Sequence, residues 1–342
     1  MHPAILWRPV KNLDIQCEAC SHFCYLKEGE KGKCGVRINQ KGRLYTLVKD
    51  KIAALNLDPL DPVEKKPLFH FLPGSKTLSL ATMGCNFACI FCQNHSLSQP
   101  PKKDGTILGE NISADSILQL AKEEGALSVS YTYSEPTIFI ELVLEVSRKA
   151  QVEGIKNILV TNGYQSPKAL EELGPYIQAA NVDLKSFAEC FYREYCQASL
   201  KTVLNNLEHM KKLGWWLEIT TLVITELNDS PQELKNIARY IQNYLGKETP
   251  WHISRYHPSY KLNNPPTPLS TLEKAYEIGK EVGLDYVYLG NVPGHMSEST
   301  YCPACGKVVI ARRGFTLLEI NLKEGKCAFC DYKIAGDFSN LN

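Results

Sequence analysis

Eleven of the chain's thirteen cysteines fall into three groups, and the spacing within each group implies chemistry. The middle group lies on Met83-Gly84-Cys85-Asn86-Phe87-Ala88-Cys89-Ile90-Phe91-Cys92, spaced C-x3-C-x2-C. A structural zinc site closes its tetrahedron with four protein ligands. Cys85, Cys89 and Cys92 have no near fourth, so they describe a metal centre with one coordination position open. Thiolates are the ligands of iron–sulfur clusters, and a cluster on three cysteines leaves one iron free. Three cysteines packed as small hydrophobes are the alternative. This spacing beside Gly84, between two apolar runs, argues against it.

The first group, Cys17, Cys20, Cys24 and Cys34, reads C-x2-C-x3-C-x9-C with Gly29, Gly32 and Gly35 near its end. Glycines let a short loop bend back on a metal. Four thiolates suit zinc in a small structural module or a second iron–sulfur cluster, and the sequence leaves both open. His22, inside the group, reads as a surface residue rather than a ligand. The last group, Cys302, Cys305, Cys327 and Cys330, reads C-x2-C-x21-C-x2-C. With strand candidates at 308–312 and 315–320 around Arg313-Gly314, it reads as a zinc ribbon that caps its neighbour or docks a partner. Cys190 and Cys196 fit no group and read as ordinary, partly buried thiols.

Composition narrows the setting. A hydrophobic content of 44% supports a real core, and 38 Lys+Arg against 37 Asp+Glu leave a net charge of +1. No basic field invites nucleic acid or an acidic membrane. No apolar run approaches the ~20 residues of a membrane-spanning helix. The start, Met1 to Pro9, lacks a signal peptide's features, so a cytoplasmic protein is expected, in which clustered cysteines mean metal rather than disulfides.

The elements that must position these groups follow a beat. Strand candidates at 78–82, 127–133, 156–161, 180–184, 217–224, 251–256 and 285–289 alternate with helical patterns at 113–124, 137–152, 167–173, 200–213, 231–245 and 270–282. Ser113 and Ser270 are candidate N-caps, the latter with Glu273 in a capping box. Gly154, Gly214 and Gly283 fall where helices should stop. The alternation predicts an α/β fold with a parallel sheet, as a full or partial barrel. Residues 36–76 read as short strands and turns, with Pro59, Pro62, Pro67 and Pro73 marking a linker. In such barrels functional groups gather at the C-terminal ends of the strands. Those ends carry the three-cysteine loop, Tyr131–Thr137, Thr161–Tyr164, Asp183–Lys185, Thr220–Thr225, Ser254–Pro258 and Gly290–His295.

These residues resemble a family. Cys85-x3-Cys89-x2-Cys92 after the first strand, with Phe91 before the third cysteine, is similar to the signature of radical S-adenosylmethionine (SAM) enzymes. His70-Phe71-Leu72-Pro73-Gly74, Tyr131–Thr137, Tyr256-His257-Pro258 and Gly290–Gly294 resemble the AmmeMemoRadiSam-system radical SAM proteins, relatives of the pyruvate formate-lyase activating enzymes. The four-cysteine groups at either end extend the likeness nearly end to end. The resemblance implies a partial (β/α)6-type radical SAM barrel at 70–296, preceded at 1–69 by the four-Cys module and linker and followed at 297–342 by the ribbon.

It also implies that Cys85, Cys89 and Cys92 hold a 4Fe-4S cluster whose open iron binds SAM. Reductive cleavage would give a 5′-deoxyadenosyl radical that abstracts hydrogen from substrate. Ser134-Glu135-Pro136 stands at the family's Gly-Gly-Glu-Pro motif, so Glu135 would accept hydrogen bonds from the SAM ammonium. Asn162, Asp183 and Lys185 would line methionine or ribose, His257 would approach SAM, and Leu222, Val223 and Ile224 would wall the adenine. Tyr133 and Ser134 replace the motif's glycines. Val160 replaces an acid found in activating enzymes, which removes support for their proposed monovalent-cation site. The partners implied are a reductant such as flavodoxin or ferredoxin and an unidentified substrate, a protein in the glycyl-radical-activating version. An RNA-modifying radical SAM enzyme and a zinc-stabilised interaction scaffold are the alternatives; near-neutral charge disfavours the first and the three-thiol loop the second.

Overall fold

The structure is a computed structural model and describes residues 1–341. Its centre is an eight-stranded sheet in which neighbouring strands follow one another in sequence. Seven strands are parallel: Lys76–Ala81, Ser128–Tyr131, Lys156–Thr161, Ala179–Asp183, Trp216–Val223, Trp251–Arg255 and Val287–Gly290. All seven lie where the alternation predicts them. Among the described residues no pairing joins the two edge strands, so the sheet is open.

The eighth strand, Ala54–Pro62, runs antiparallel along the edge beside Lys76–Ala81. It corrects the expectation of a linker. The prolines suggested a break, but the ladder is interrupted between Asn56 and Asp61, so Pro59 sits where no backbone donor is needed.

A parallel sheet covered on both faces usually reads apolar throughout. These strands alternate instead. Leu78, Leu80, Val129, Ile219, Ile253 and Leu289 point to one face and are buried in the main core with the helices. Thr77, Ser79, Ser130, Asn181, Thr220 and His252 occupy the other face. Ser113 caps its helix as expected, its hydroxyl accepting from the Ser116 N–H at 3.1 Å. Ser270 does not cap. Pro268 holds that position with φ −59°, so the helix Leu269–Val282 begins two residues earlier than the capping box requires. That helix ends where expected, at Gly283, whose φ of +99° suits a residue without a Cβ.

The segment after the edge strand fills the polar face near the N-terminal ends of the strands. Phe69 and His70 donate backbone N–H bonds to the Glu218 carboxylate at 3.0 and 2.8 Å, and His252 meets the same carboxylate at 2.6 Å. Asn181 donates to the Pro67 carbonyl at 2.8 Å. Val63, Leu68, Phe71 and Leu72 pack on Ile158 and Ala179.

The C-terminal module docks on this plug. Its strands Val308–Arg313 and Thr316–Ile320 pair antiparallel, and Val309, Ile310 and Ile334 share a core with Phe69, Tyr286 and Tyr288. His70 Nδ1 donates to the Ala335 carbonyl at 2.7 Å, and Tyr288 donates to its Nε2 at 2.6 Å. Buried Arg312 donates to the Phe69 carbonyl at 2.7 Å and lies 3.7 Å from Glu64. The N-terminal module docks at the opposite ends of the strands. Ser21 N–H donates to the Tyr164 carbonyl at 3.0 Å, and Arg37 forms a two-pronged buried pair with Glu141 at 2.9 and 3.0 Å. No helix among the described residues is long and apolar enough to cross a membrane.

Candidate functional site

The C-terminal ends of successive strands open on a cavity of about 310 Å³. Cys85, Cys89 and Cys92 form part of its wall, with Glu135, Asn162, Asp183, Lys185 and Leu222 from later strand ends. Two contacts shape the cysteine loop. Gly84, at φ +106°, lies so near the N-terminal module that a Cβ would stand 2.9 Å from Val36 and 3.1 Å from the Cys34 carbonyl. On the other flank, Ala88 and Ile90 donate N–H bonds to the carbonyls of Cys196 and Tyr195 at 3.0 and 3.1 Å.

The thiols are not built as nucleophiles. A reactive cysteine has its pKa lowered. Burial pushes the Cys85 thiol up to about 12 and raises Cys92 as well. Cys89 is held well above its usual range, first by the Cys196 thiol and then by burial. A bound metal would supply the compensating charge that lets such groups ionise. Cys196 is thus no ordinary, partly buried thiol. It is fully buried against Cys89, a tertiary contact that no local spacing signals.

Glu135 is buried and its oxygens are occupied by the protein. It accepts from the Thr137 N–H and hydroxyl at 3.2 and 2.5 Å, from the Thr161 hydroxyl at 2.8 Å and from the Asn162 N–H at 2.9 Å. Burial raises its pKa, and these donors offset the rise. These bonds clamp two strand-end loops together while the carboxylate lines the cavity. Asn162 reaches the cysteine loop, donating to Asn86 Oδ1 at 2.8 Å. Asp183 and Lys185 pair at 2.6 Å, and Asp183 keeps the lysine charged despite burial.

Other expectations fail. His257 is exposed and off the cavity wall, because the chain turns outward after the strand Trp251–Arg255. Leu222 lines the cavity, while Val223 and Ile224 are buried away from it. His22 is partly buried rather than fully at the surface: its ring meets the Asn86 carbonyl at 2.9 Å, and burial lowers its pKa to about 4.

The wall also includes Tyr133, Ser134, Thr220 and Ser254 from the predicted strand ends, and Lys65, which the sequence did not single out. Tyr133 takes φ +62°, a conformation that favours glycine. It is held there by a hydroxyl bond to Asp61, by Asn94 donating to its carbonyl at 2.9 Å, and by Lys66 5.0 Å over its ring. Burial would raise Asp61, but Lys65, Lys66 and Tyr133 outweigh it and hold the carboxyl below its usual range. The Ser134 hydroxyl is buried on the cavity wall without a partner among the described residues, as suits a polar ligand.

The cysteine groups differ in spread. Among the described residues, only Cys302, Cys305, Cys327 and Cys330 bring their ligand atoms within 4.8 Å of one another. Cys85, Cys89 and Cys92 stand further apart, which fits a multi-atom core better than one ion.

Comparison with known proteins agrees with this geometry. The chain is 41% identical, over 98% of its length and 99% of the other's, to an uncharacterized protein of Methanocaldococcus jannaschii. It is 24% identical, over 57% of its length and 60% of the other's, to the 4-hydroxyphenylacetate decarboxylase activating enzyme of Clostridium scatologenes. A radical SAM methyltransferase from Sphaerobacter thermophilus shares the fold with a TM-score of 0.51 at 16% identity, over 70% of this chain and 71% of that one. Residues 80–241 match the model of the radical SAM superfamily, a span that starts at the end of the first parallel strand and takes in the cysteine loop and every strand end through Val223. Residues 80–241 thus carry the domain of the radical SAM superfamily.

Proposed function

We propose that the chain is a radical SAM enzyme of the glycyl-radical-activating type, acting on a protein substrate. Cys85, Cys89 and Cys92 would hold a 4Fe-4S cluster. When bound and reduced, that cluster supplies the electron that splits SAM into methionine and a 5′-deoxyadenosyl radical. The observation that carries this reading is the convergence of three raised thiols with side chains from successive strand ends on one cavity.

The chain's own residues would position and insulate. Glu135 would fix the loops at 132–137 and 161–165, Asn162 would brace the cysteine loop, and Asp183 with Lys185 would present charge to the polar parts of SAM. The Ser134 hydroxyl would donate to the ligand. Leu222 and Phe91 would supply apolar wall that keeps water from a radical. The sheet would curve as a partial barrel between an N-terminal module at 1–69 and a ribbon at 297–342 that binds zinc. Relatedness to an activating enzyme supports the protein substrate and a flavodoxin- or ferredoxin-type reductant.

Anaerobic reconstitution with iron and sulfide, chemical reduction and addition of SAM should yield 5′-deoxyadenosine by mass spectrometry. Cys89→Ala should abolish it. Full product from that variant would refute the cluster assignment.

A further inference from the structure

Sulfurs held about 2.3 Å from one zinc at tetrahedral angles stand about 3.8 Å apart. The ribbon shows that spacing, with Cys302 to Cys330 at 3.6 Å and Cys305 to Cys327 at 3.8 Å. The N-terminal group does not. Cys24 and Cys34 face one space, since a Cβ placed on Gly32 would lie 3.7 Å from Cys34 Sγ and 3.8 Å from Cys24 Sγ. The backbone folds the loop on itself there, Cys17 N–H donating to the Cys24 carbonyl at 2.9 Å, and Cys17 and Cys34 are both buried. Yet no three of these sulfurs come within 4.8 Å of one another, and none is in a disulfide. Four free thiols around a space too wide for one ion fit an iron–sulfide core, which spreads its thiolates over several metal atoms.

The module also adjoins the three-thiol loop. The Cys34 carbonyl is against Gly84, one residue before Cys85, and His22 meets the carbonyl of Asn86, one residue after it. Cys20 pairs through its backbone with Gln165, whose amide donates to Thr161 at 2.7 Å beside Glu135. Cys34 is buried toward that seam, while Cys24 is partly exposed.

We propose that Cys17, Cys20, Cys24 and Cys34 hold a second iron–sulfur cluster that takes single electrons from a low-potential flavin or iron–sulfur protein and passes them to the cluster on Cys85, Cys89 and Cys92. This rests on the function proposed above. The donor loses one electron, the N-terminal cluster gains and then loses it, and the second cluster gains it. No bond forms or breaks in the transfer.

The test uses the full chain with Cys85→Ala, Cys89→Ala and Cys92→Ala combined, reconstituted anaerobically and desalted. Iron, sulfide and zinc are counted per chain, and the reduced sample is examined by electron paramagnetic resonance. Equal iron and sulfide, a reduced-cluster signal and a single zinc are expected. Adding Cys24→Ala and Cys34→Ala should remove the iron, while the retained ribbon zinc reports a folded chain. Two zincs without iron, a single zinc without iron, or iron that survives the added substitutions would each overturn the proposal. In the wild type, two reduced clusters side by side should broaden each other's signals relative to the triple variant. Two sharp, independent signals would overturn the relay. Failure of the proposed function would show differently, as a wild type holding no more iron than the triple variant.

Discussion

The two four-cysteine modules look alike in sequence, yet the fold uses them at opposite ends. The C-terminal one closes the N-terminal ends of the strands, where no cavity residue lies. The N-terminal one abuts the cysteine loop itself. Each is anchored by one buried arginine, in different ways. Arg37 grips Glu141 with two hydrogen bonds, whereas Arg312 spends its hydrogen bonds on the Phe69 carbonyl and the Thr300 hydroxyl and leaves Glu64 at 3.7 Å. Cysteine spacing therefore identifies metal chemistry but not its place or purpose. Both depend on what the module's other residues hold.

The comparison can be broken most forcefully at the zinc proposed for the ribbon. Structural zinc contributes about 10–16 kcal/mol in small domains. Removing it with a strong chelator, or by Cys327→Ser, should release residues 300–340 and expose Phe69 and His70. Hydrogen exchange should rise there first, with residues 17–38 still protected. Uniform loss across both modules would mean that the ends are not independent.

The arginine anchors come next. Arg37→Met leaves Glu141 buried without its partner and should cost about 3–5 kcal/mol in denaturant unfolding. Arg312→Met should cost about 2 kcal/mol, because Glu64, whose pKa burial already raises, can take up a proton. Equal losses would remove the distinction between the two anchors.

Acidity acts on the ribbon end through His70. Burial lowers its pKa to about 4, against about 6.5 for a free histidine. Above pH 6.5 neither state is protonated and nothing is lost. Between 6.5 and 4 the unfolded chain binds a proton that the folded chain refuses, so stability falls as pH falls, by about 3 kcal/mol in full. His70→Gln should flatten that part of the stability–pH curve. An unchanged slope would assign the effect elsewhere. The smallest change is Tyr133→Phe, which removes the hydroxyl bond to Asp61 and should cost about 1 kcal/mol while leaving the backbone at 133 in place.

Much of this architecture was legible because local signals agreed. Leu78, Leu80, Val129 and Tyr131 alternate with Thr77, Ser79, Ser128 and Ser130, and glycines stop the helices, so the parallel strands could be placed. The edge strand was missed because Pro59 and Pro62 suggest a break, and only the sheet reveals the ladder gap that tolerates Pro59. The cysteine loop, Asn162, Asp183 and Lys185 were legible from their places at strand ends. His257 shares that place but points outward, since sequence gives the strand end and not the direction of the chain beyond it. Cys196 and the Tyr133–Asp61 bond depend on residues 107 and 72 positions away, and no local pattern encodes such pairs.

The plug at 63–73 has a consequence for the chain's synthesis. His70 is fixed by Ala335, 265 residues later, and Phe69 by Arg312, 243 residues later. Contacts so distant form late and slow the search for the native state. The ribosome will have released nearly the whole sheet before the segment that seals one of its ends exists. Until then Phe69, Tyr286 and Tyr288 lack their cover, an interval in which a nascent chain is most open to chaperones and to aggregation.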